Sequence, residues 1–172
     1  MRQHRLLAAS VLSALALAGC HQNQGGTETP RADQTTPCRS QDLGLKRVSE
    51  DSTVGVVTYR FVNRSSALCS LKGYPAIALT GPDGAQLDVT VRQFAPPPVI
   101  SRRGIGLVLR PGGSADFSVV FPKDSGKGPC KPFVKLTATP PGSDWGLDAA
   151  EDRKLCDGPL VVSIFTLDPG DL

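Results

Sequence analysis

The stretch Val56 to Thr80, VVTYRFVNRSSALCSLKGYPAIALT, limits the fold more than any other part of the chain. Val57, Tyr59 and Phe61 alternate with smaller or polar residues, and successive side chains of a strand point to opposite faces. The run is therefore a strand with one apolar face. Asn63 to Ser66 are turn formers, a cysteine follows, and Ala76 to Thr80 reads as a second strand.

The same pattern continues along the chain. Leu43 to Ser49 precedes the central strand Val54 to Val62, and Gly81-Pro82-Asp83-Gly84 joins Ala76 to Thr80 with Gln86 to Val91 as a hairpin. Ile105 to Leu109 and Ser114 to Phe121 form a second expected hairpin around Arg110-Pro111-Gly112-Gly113. Phe133 to Thr139 and Leu160 to Leu167 complete the set, the last apolar on nearly both sides and so expected in the centre of a sheet. Ala95-Pro96-Pro97-Pro98 lacks three consecutive donors and cannot lie inside a sheet. Between Pro141 and Gly158, Asp148 followed by Glu151 has the form of a capping box and Arg153-Lys154 suit a helix C-terminus, which predicts a short helix. About eight strands and one short helix predict an all-β, antiparallel sandwich of immunoglobulin type.

One core suffices for this chain. All nine aromatic residues lie between Tyr59 and Phe165, while residues 1 to 37 have none. The folded span 38–172 has 135 residues, enough to bury roughly 65–70% of the surface its unfolded chain exposes. Without Arg2 and Arg5 of the leader described next, 17 basic side chains stand against 16 acidic ones. That near-neutral balance speaks against a nucleic-acid partner.

Met1 to Gln3 and Arg5 form a short positive start, and Leu6 to Ala18 is an apolar run too short to span a bilayer. The run ends in Leu17-Ala18-Gly19-Cys20, which resembles the bacterial lipobox. The resemblance implies a signal peptide over residues 1–19 and a mature chain that starts at an acylated Cys20, carrying diacylglycerol and palmitate-like chains. Such a protein is anchored to a membrane and does not span it. Residues 20–37 hold no large apolar side chain after Cys20 and read as a flexible tether, with a reach of about 20–25 Å for 17 residues. His21 stands where the inner-membrane retention signal has aspartate. The expected address is the cell envelope, and in a Gram-negative source the periplasmic face of the outer membrane.

With Cys20 acylated, Cys38, Cys69, Cys130 and Cys156 remain, and an even number in an exported domain favours two disulfides. Of three pairings, Cys38 with Cys69 and Cys130 with Cys156 is favoured, because each bridge then ties a peripheral segment to the nearest strand. Asn63, Cys69, Leu71, Gly73, Tyr74 and Pro75 resemble the N-x-S…C-x-L-x-G-Y-P signature of the domain of unknown function 4232 family. Leu109, Pro111, Gly112 and Ala115 are similar to its L-x-P-G-x-x-A turn, and Cys38, Cys130, Leu136, Pro140, Pro141 and Cys156 are placed as in that family. The likeness runs over about residues 38 to 167 and implies an exported or lipid-anchored bacterial β-sandwich. It implies no catalytic or ligand residue. Gln93 to Arg103, with its three prolines, departs from the family pattern.

Chemistry is sparse. The folded span contains no histidine, since His4 lies in the leader and His21 in the tether, so a serine–histidine triad and a histidine metal site are excluded. Asp144, Asp148, Glu151, Asp152 and Asp157 crowd one segment, and the first four are weak candidates for a calcium site whose spacing matches no known calcium loop. Ser65, Ser66 and Ser70 near Lys72 are better read as turn residues than as a serine–lysine pair. Phe94, Arg102, Arg103 and Trp145 are the candidates for docking a partner. The expectation is a non-catalytic binding or structural module of the envelope, without a cofactor, held at the membrane through Cys20 and meeting an envelope protein or glycan. A carrier of a small ligand or of calcium on the acidic 144–157 segment is the alternative.

Overall fold

The computed structural model describes residues 31–94, 106–126 and 128–167. Cys20, the leader, most of the tether, Arg102 and Arg103 lie outside these residues. Eleven strands are present among the described residues: β1 (Leu43–Asp51), β2 (Val56–Asn63), β3 (Cys69–Leu71), β4 (Ala76–Thr80), β5 (Val91–Phe94), β6 (Leu107–Leu109), β7 (Ser114–Val120), β8 (Lys131–Thr139), β9 (Leu147–Leu155), β10 (Leu160–Ser163) and β11 (Thr166–Leu167). The largest sheet has the order β1-β2-β7-β10-β5, with β11 also on β7; β4-β8-β9 forms a second sheet and β3-β6 a short third.

Alternation builds the core as the sequence requires. Val57, Tyr59 and Phe61 of β2 and Ala115, Phe117 and Val119 of β7 are all buried, and the ladder sets Tyr59 opposite Phe117. Leu79 of β4 and Phe133, Leu136 and Ala138 of β8 belong to the same apolar cluster, so the β1-β2-β7-β10-β5 and β4-β8-β9 sheets share one core and the fold is a β-sandwich. Phe117 is its centre: its ring is 5.6 Å from Tyr59, 5.3 Å from Phe61 and 5.9 Å from Phe165. Both favoured disulfides are present. Cys38–Cys69 fastens the segment before β1 to β3, where Cys38 N–H also donates to Ser70. Cys130–Cys156 is the next rung of the β8/β9 ladder beyond Lys131 and Leu155.

Three local expectations are corrected. The segment expected to hold a helix is strand β9; only two 3-10 turns, Ala32–Gln34 and Ser40–Asp42, occur among the described residues. In β9, Leu147, Ala149, Glu151 and Leu155 are more buried than their neighbours, and this period of two wins over local capping signals because the edge of β8 offers a full ladder. The Gly81 to Gly84 turn forms, but pairing ends near Gln86 and Leu87. Leu87 and Val89 pack on the flank of the core, and the chain crosses to the other sheet, where β5 runs parallel to β10. That pair makes the large sheet mixed rather than wholly antiparallel. Finally, β6 and β7 do not form a hairpin. Gly112 N–H donates to Asn63 C=O and Asn63 N–H to Gly113 C=O, so the turn is fastened to the end of β2 while β6 pairs with β3. The expected central position of the last long strand holds for β10, which lies between β7 and β5.

Phe117→Ala empties the middle of the aromatic cluster and is expected to lower the unfolding free energy by about 3–5 kcal/mol, measured by urea denaturation. A loss below about 1 kcal/mol contradicts the central place given to this ring.

Candidate functional site

The two sheets approach one another where β1, an edge of the large sheet, meets β9, an edge of the smaller one. Each edge carries a bulge there. Arg47 pairs with Tyr59 and Ser49 with Thr58, leaving Val48 extra in β1. Glu151 and Asp152 of β9 together face Val134, between the rungs Phe133–Arg153 and Lys135–Ala150. Bulges of this kind blunt edge strands and re-aim side chains. Glu151 lies at the second bulge.

The Glu151 side chain has no exposed surface. A buried carboxylate needs donors to replace water. Tyr59 O–H donates to Oε1 at 2.7 Å, and Arg47 Nη1 lies 3.3 Å from Oε2. Arg47 also reaches Glu50 at 3.6 Å, Glu50 receives Arg153 at 2.6 Å, and the Arg153 guanidinium stands 4.9 Å from the centre of the Phe121 ring. Burial pushes the Tyr59 hydroxyl far above its ordinary range, and donation to Glu151 together with the charge of that carboxylate pushes it further. Arg47, Glu50, Glu151 and Arg153 line an open groove of about 670 Å³ with Ala150, Asp152 and Lys154. Arg47, Glu50, Glu151 and Arg153 are paired within it and the buried Tyr59 donates to Glu151, so the arrangement serves as an electrostatic seam between the sheets. Tyr59 was legible as buried, and a buried phenol requires an acceptor; the alternation around Glu151 was the signal that could have supplied it.

The acidic candidates are not brought together. Asp148 and Asp152 point outward from β9, Glu151 points inward, and Asp144 lies exposed in the preceding turn. Asp148 accepts from Thr137 Oγ1 at 2.6 Å and pairs with Lys135 at 3.1 Å. The hydroxyl first, and then the ammonium, hold its carboxyl below the usual carboxylate value. Among the described residues, one set of three metal-ligand types clusters within 4.8 Å: Asp124, Cys130 and Cys156. Its two sulfurs are bonded to each other. Ser65 is a turn residue that donates to Asn63 Oδ1, whereas Ser70, also expected in the turn, is buried in strand β3 and donates to Thr35 C=O.

Of the docking candidates, Phe94 and Trp145 are both about half exposed, at 51% and 53%. They lie apart. Trp145 precedes β9, where its carbonyl accepts from Ser40, just ahead of β1; Phe94 ends β5, at the opposite edge of the large sheet. Phe94 lines a shallow hollow of about 300 Å³ with Val56, Val120, Val161, Ser118, Ser163 and Thr166, on the outer face of that sheet. Most of these residues occupy the half-buried alternate positions of β2, β7 and β10.

Fold and seam define a class: a disulfide-braced β-sandwich whose two sheets meet at a seam of paired charges. Residues 38–166 match the family described as Domain of unknown function (DUF4232), and the chain belongs to that family. No curated protein and no solved structure matches it. The residues that carry the likeness build the fold. Asn63, 1% exposed, donates through Nδ2 to Ala67 and Leu109 carbonyls and accepts from Ser65. Leu71, Leu109 and Ala115 are core, and Gly73 and Gly112 adopt φ of 94° and 79°, where a Cβ would be strained.

The seam has a pH signature. A phenol whose proton is held more tightly folded than unfolded stabilises the fold fully below its unfolded value of 10.0, and the benefit is lost as pH rises beyond it. The denaturation midpoint is expected to fall above pH 10 in the native chain, and to fall distinctly less in Tyr59→Phe. Equal alkaline losses in both proteins contradict this assignment.

Proposed function

We propose that the chain is a lipid-anchored protein of the cell envelope whose sandwich acts without catalysis, by docking an envelope protein. The Leu17-Ala18-Gly19-Cys20 pattern and the polar residues that follow support acylation of Cys20 and a tethered domain. In a Gram-negative source the address is the periplasmic face of the outer membrane. One observation carries the docking reading: the apolar hollow of Val56, Phe94, Val120 and Val161 on the outer face of the large sheet. Sheet faces without a partner are normally polar, and a half-exposed phenylalanine is the kind of anchor that protein interfaces use. Such a surface suits an apolar protein segment better than a glycan. In the groove at the seam, by contrast, Arg47, Glu50, Glu151 and Arg153 are engaged with one another. A cation carrier on the 144–157 segment draws on Asp144, Asp148 and Asp152, but Asp148 is already engaged by Thr137 and Lys135 and Glu151 faces the core. The docking reading is therefore preferred.

Crosslinking in cells of the full chain, with labelling by a palmitate analogue, tests both halves. The expected result is a label lost in Cys20→Ala, and one dominant protein adduct weakened in Cys20→Ala and in Phe94→Asp. A label that persists in Cys20→Ala overturns the anchor. Diffuse neighbours common to all three forms, or a glycan adduct, overturn the protein-docking assignment.

A further inference from the structure

The two disulfides occupy different surroundings. Cys38 and Cys69 are 0% and 4% exposed, inside the apolar cluster. Cys130 and Cys156 are both partly exposed, and Cys156 lines a hollow of about 370 Å³ formed by the residues before β5 and between β9 and β10. Thiol–disulfide exchange needs a thiolate to approach one sulfur along an open path. Only the second bridge offers that path. Arg92 and Lys131 line the hollow opposite Asp88 and Asp157, so its charges balance, and Asp124 lies beside the two sulfurs. The four charges of the hollow cancel, so an incoming thiolate meets net negative charge only at the Asp124 carboxylate beside the sulfurs.

The bridge also stands beside other ties in the local structure. It adds a rung to a hairpin whose ladder already runs from Lys131–Leu155 to Ala138–Leu147. β8 is paired on its other side to β4, and β9 is held at the seam through Glu151. Opening the bond loosens one end of one hairpin. Opening Cys38–Cys69 instead removes the covalent tie of a buried segment to β3, leaving hydrogen bonds of Thr36 and Cys38 with Ser70, from Arg39 and Ser40 to the turn before β9, and from Arg64 to Asp42.

We propose that Cys130–Cys156 is a site of reversible thiol exchange, reduced by a dithiol partner while Cys38–Cys69 stays closed and the sandwich stays folded. The attacking thiolate forms a bond to Cys156 Sγ; the Cys130–Cys156 bond breaks, and the Cys130 sulfur keeps the electron pair and takes a proton from water. The second thiolate of the reductant then attacks its own sulfur in the mixed disulfide and releases Cys156 as a thiolate. Two electrons pass to this cysteine pair, and the reductant leaves as its disulfide.

The full chain is treated with dithiothreitol under native conditions, quenched at intervals with N-ethylmaleimide and mapped by mass spectrometry, with near-ultraviolet circular dichroism followed in parallel. The expected result is labelling of Cys130 and Cys156 about tenfold or more faster than Cys38 and Cys69, with the dichroism retained. With glutathione in place of the dithiol, the mixed disulfide is expected on Cys156. The variant carrying both Cys130→Ser and Cys156→Ser is expected to keep a cooperative melt and to take up no label under the same conditions. Equal labelling of all four cysteines, prior labelling of Cys38 and Cys69, a glutathione adduct on Cys130, or loss of the cooperative melt in that variant overturns the proposal.

Discussion

A carboxylate with no exposed surface must find its donors inside the protein, and in this sandwich Glu151 finds them on two different strands of the opposite sheet. Tyr59 comes from the buried face of β2 and Arg47 from the edge strand β1, with which it is paired across the ladder. The interaction therefore fixes where β9 stands relative to the large sheet. Removing one partner leaves an uncompensated buried group, whereas replacing both by apolar side chains of similar shape is close to neutral. The seam thus specifies register more than it adds stability. Its outer part, Arg47, Glu50 and Arg153, is more open to water and contributes correspondingly less.

How much of this was legible depends on the range over which each signal acts. The alternation of Val57, Tyr59 and Phe61 names a strand and its buried face without outside help, because burial on one face demands a period of two. An even number of cysteines in a domain expected to be exported likewise leads to the two bridges. The Asp148 to Glu151 pattern misleads, since a capping box is a local signal and the vacant edge of β8 is not. The Pro111-Gly112-Gly113 turn was correctly placed but joined to the wrong partner. Its donors and acceptors are answered by Asn63, about fifty positions earlier in the chain, and nothing local announces that. The bulges at Val48 and Glu151-Asp152, which lie at the seam, have no sequence signature. The docking candidates separate in the same way: each was recognisable as an aromatic residue in an unusual place, but only the sheet order puts Phe94 and Trp145 at opposite edges.

The family likeness and the surface have different physical sources. Asn63, Leu71, Gly73, Leu109, Gly112 and Ala115 satisfy backbone groups, fill the core or turn the chain where a side chain would be strained. Such residues define a scaffold, and function lives in sites carried on scaffolds. Among the described residues, the surfaces proposed to carry it lie elsewhere: the apolar hollow beside Phe94 and the partly open Cys130–Cys156 bridge. Neither draws on the seam.

A double-mutant cycle on Tyr59 and Glu151 tests the seam most directly. Urea denaturation of Tyr59→Phe, Glu151→Met and the double variant is predicted to show a coupling of about 1–3 kcal/mol, with Tyr59→Phe costly in the native background and nearly free beside Glu151→Met. Equal cost of Tyr59→Phe in both backgrounds contradicts the claim that this pair joins the two sheets.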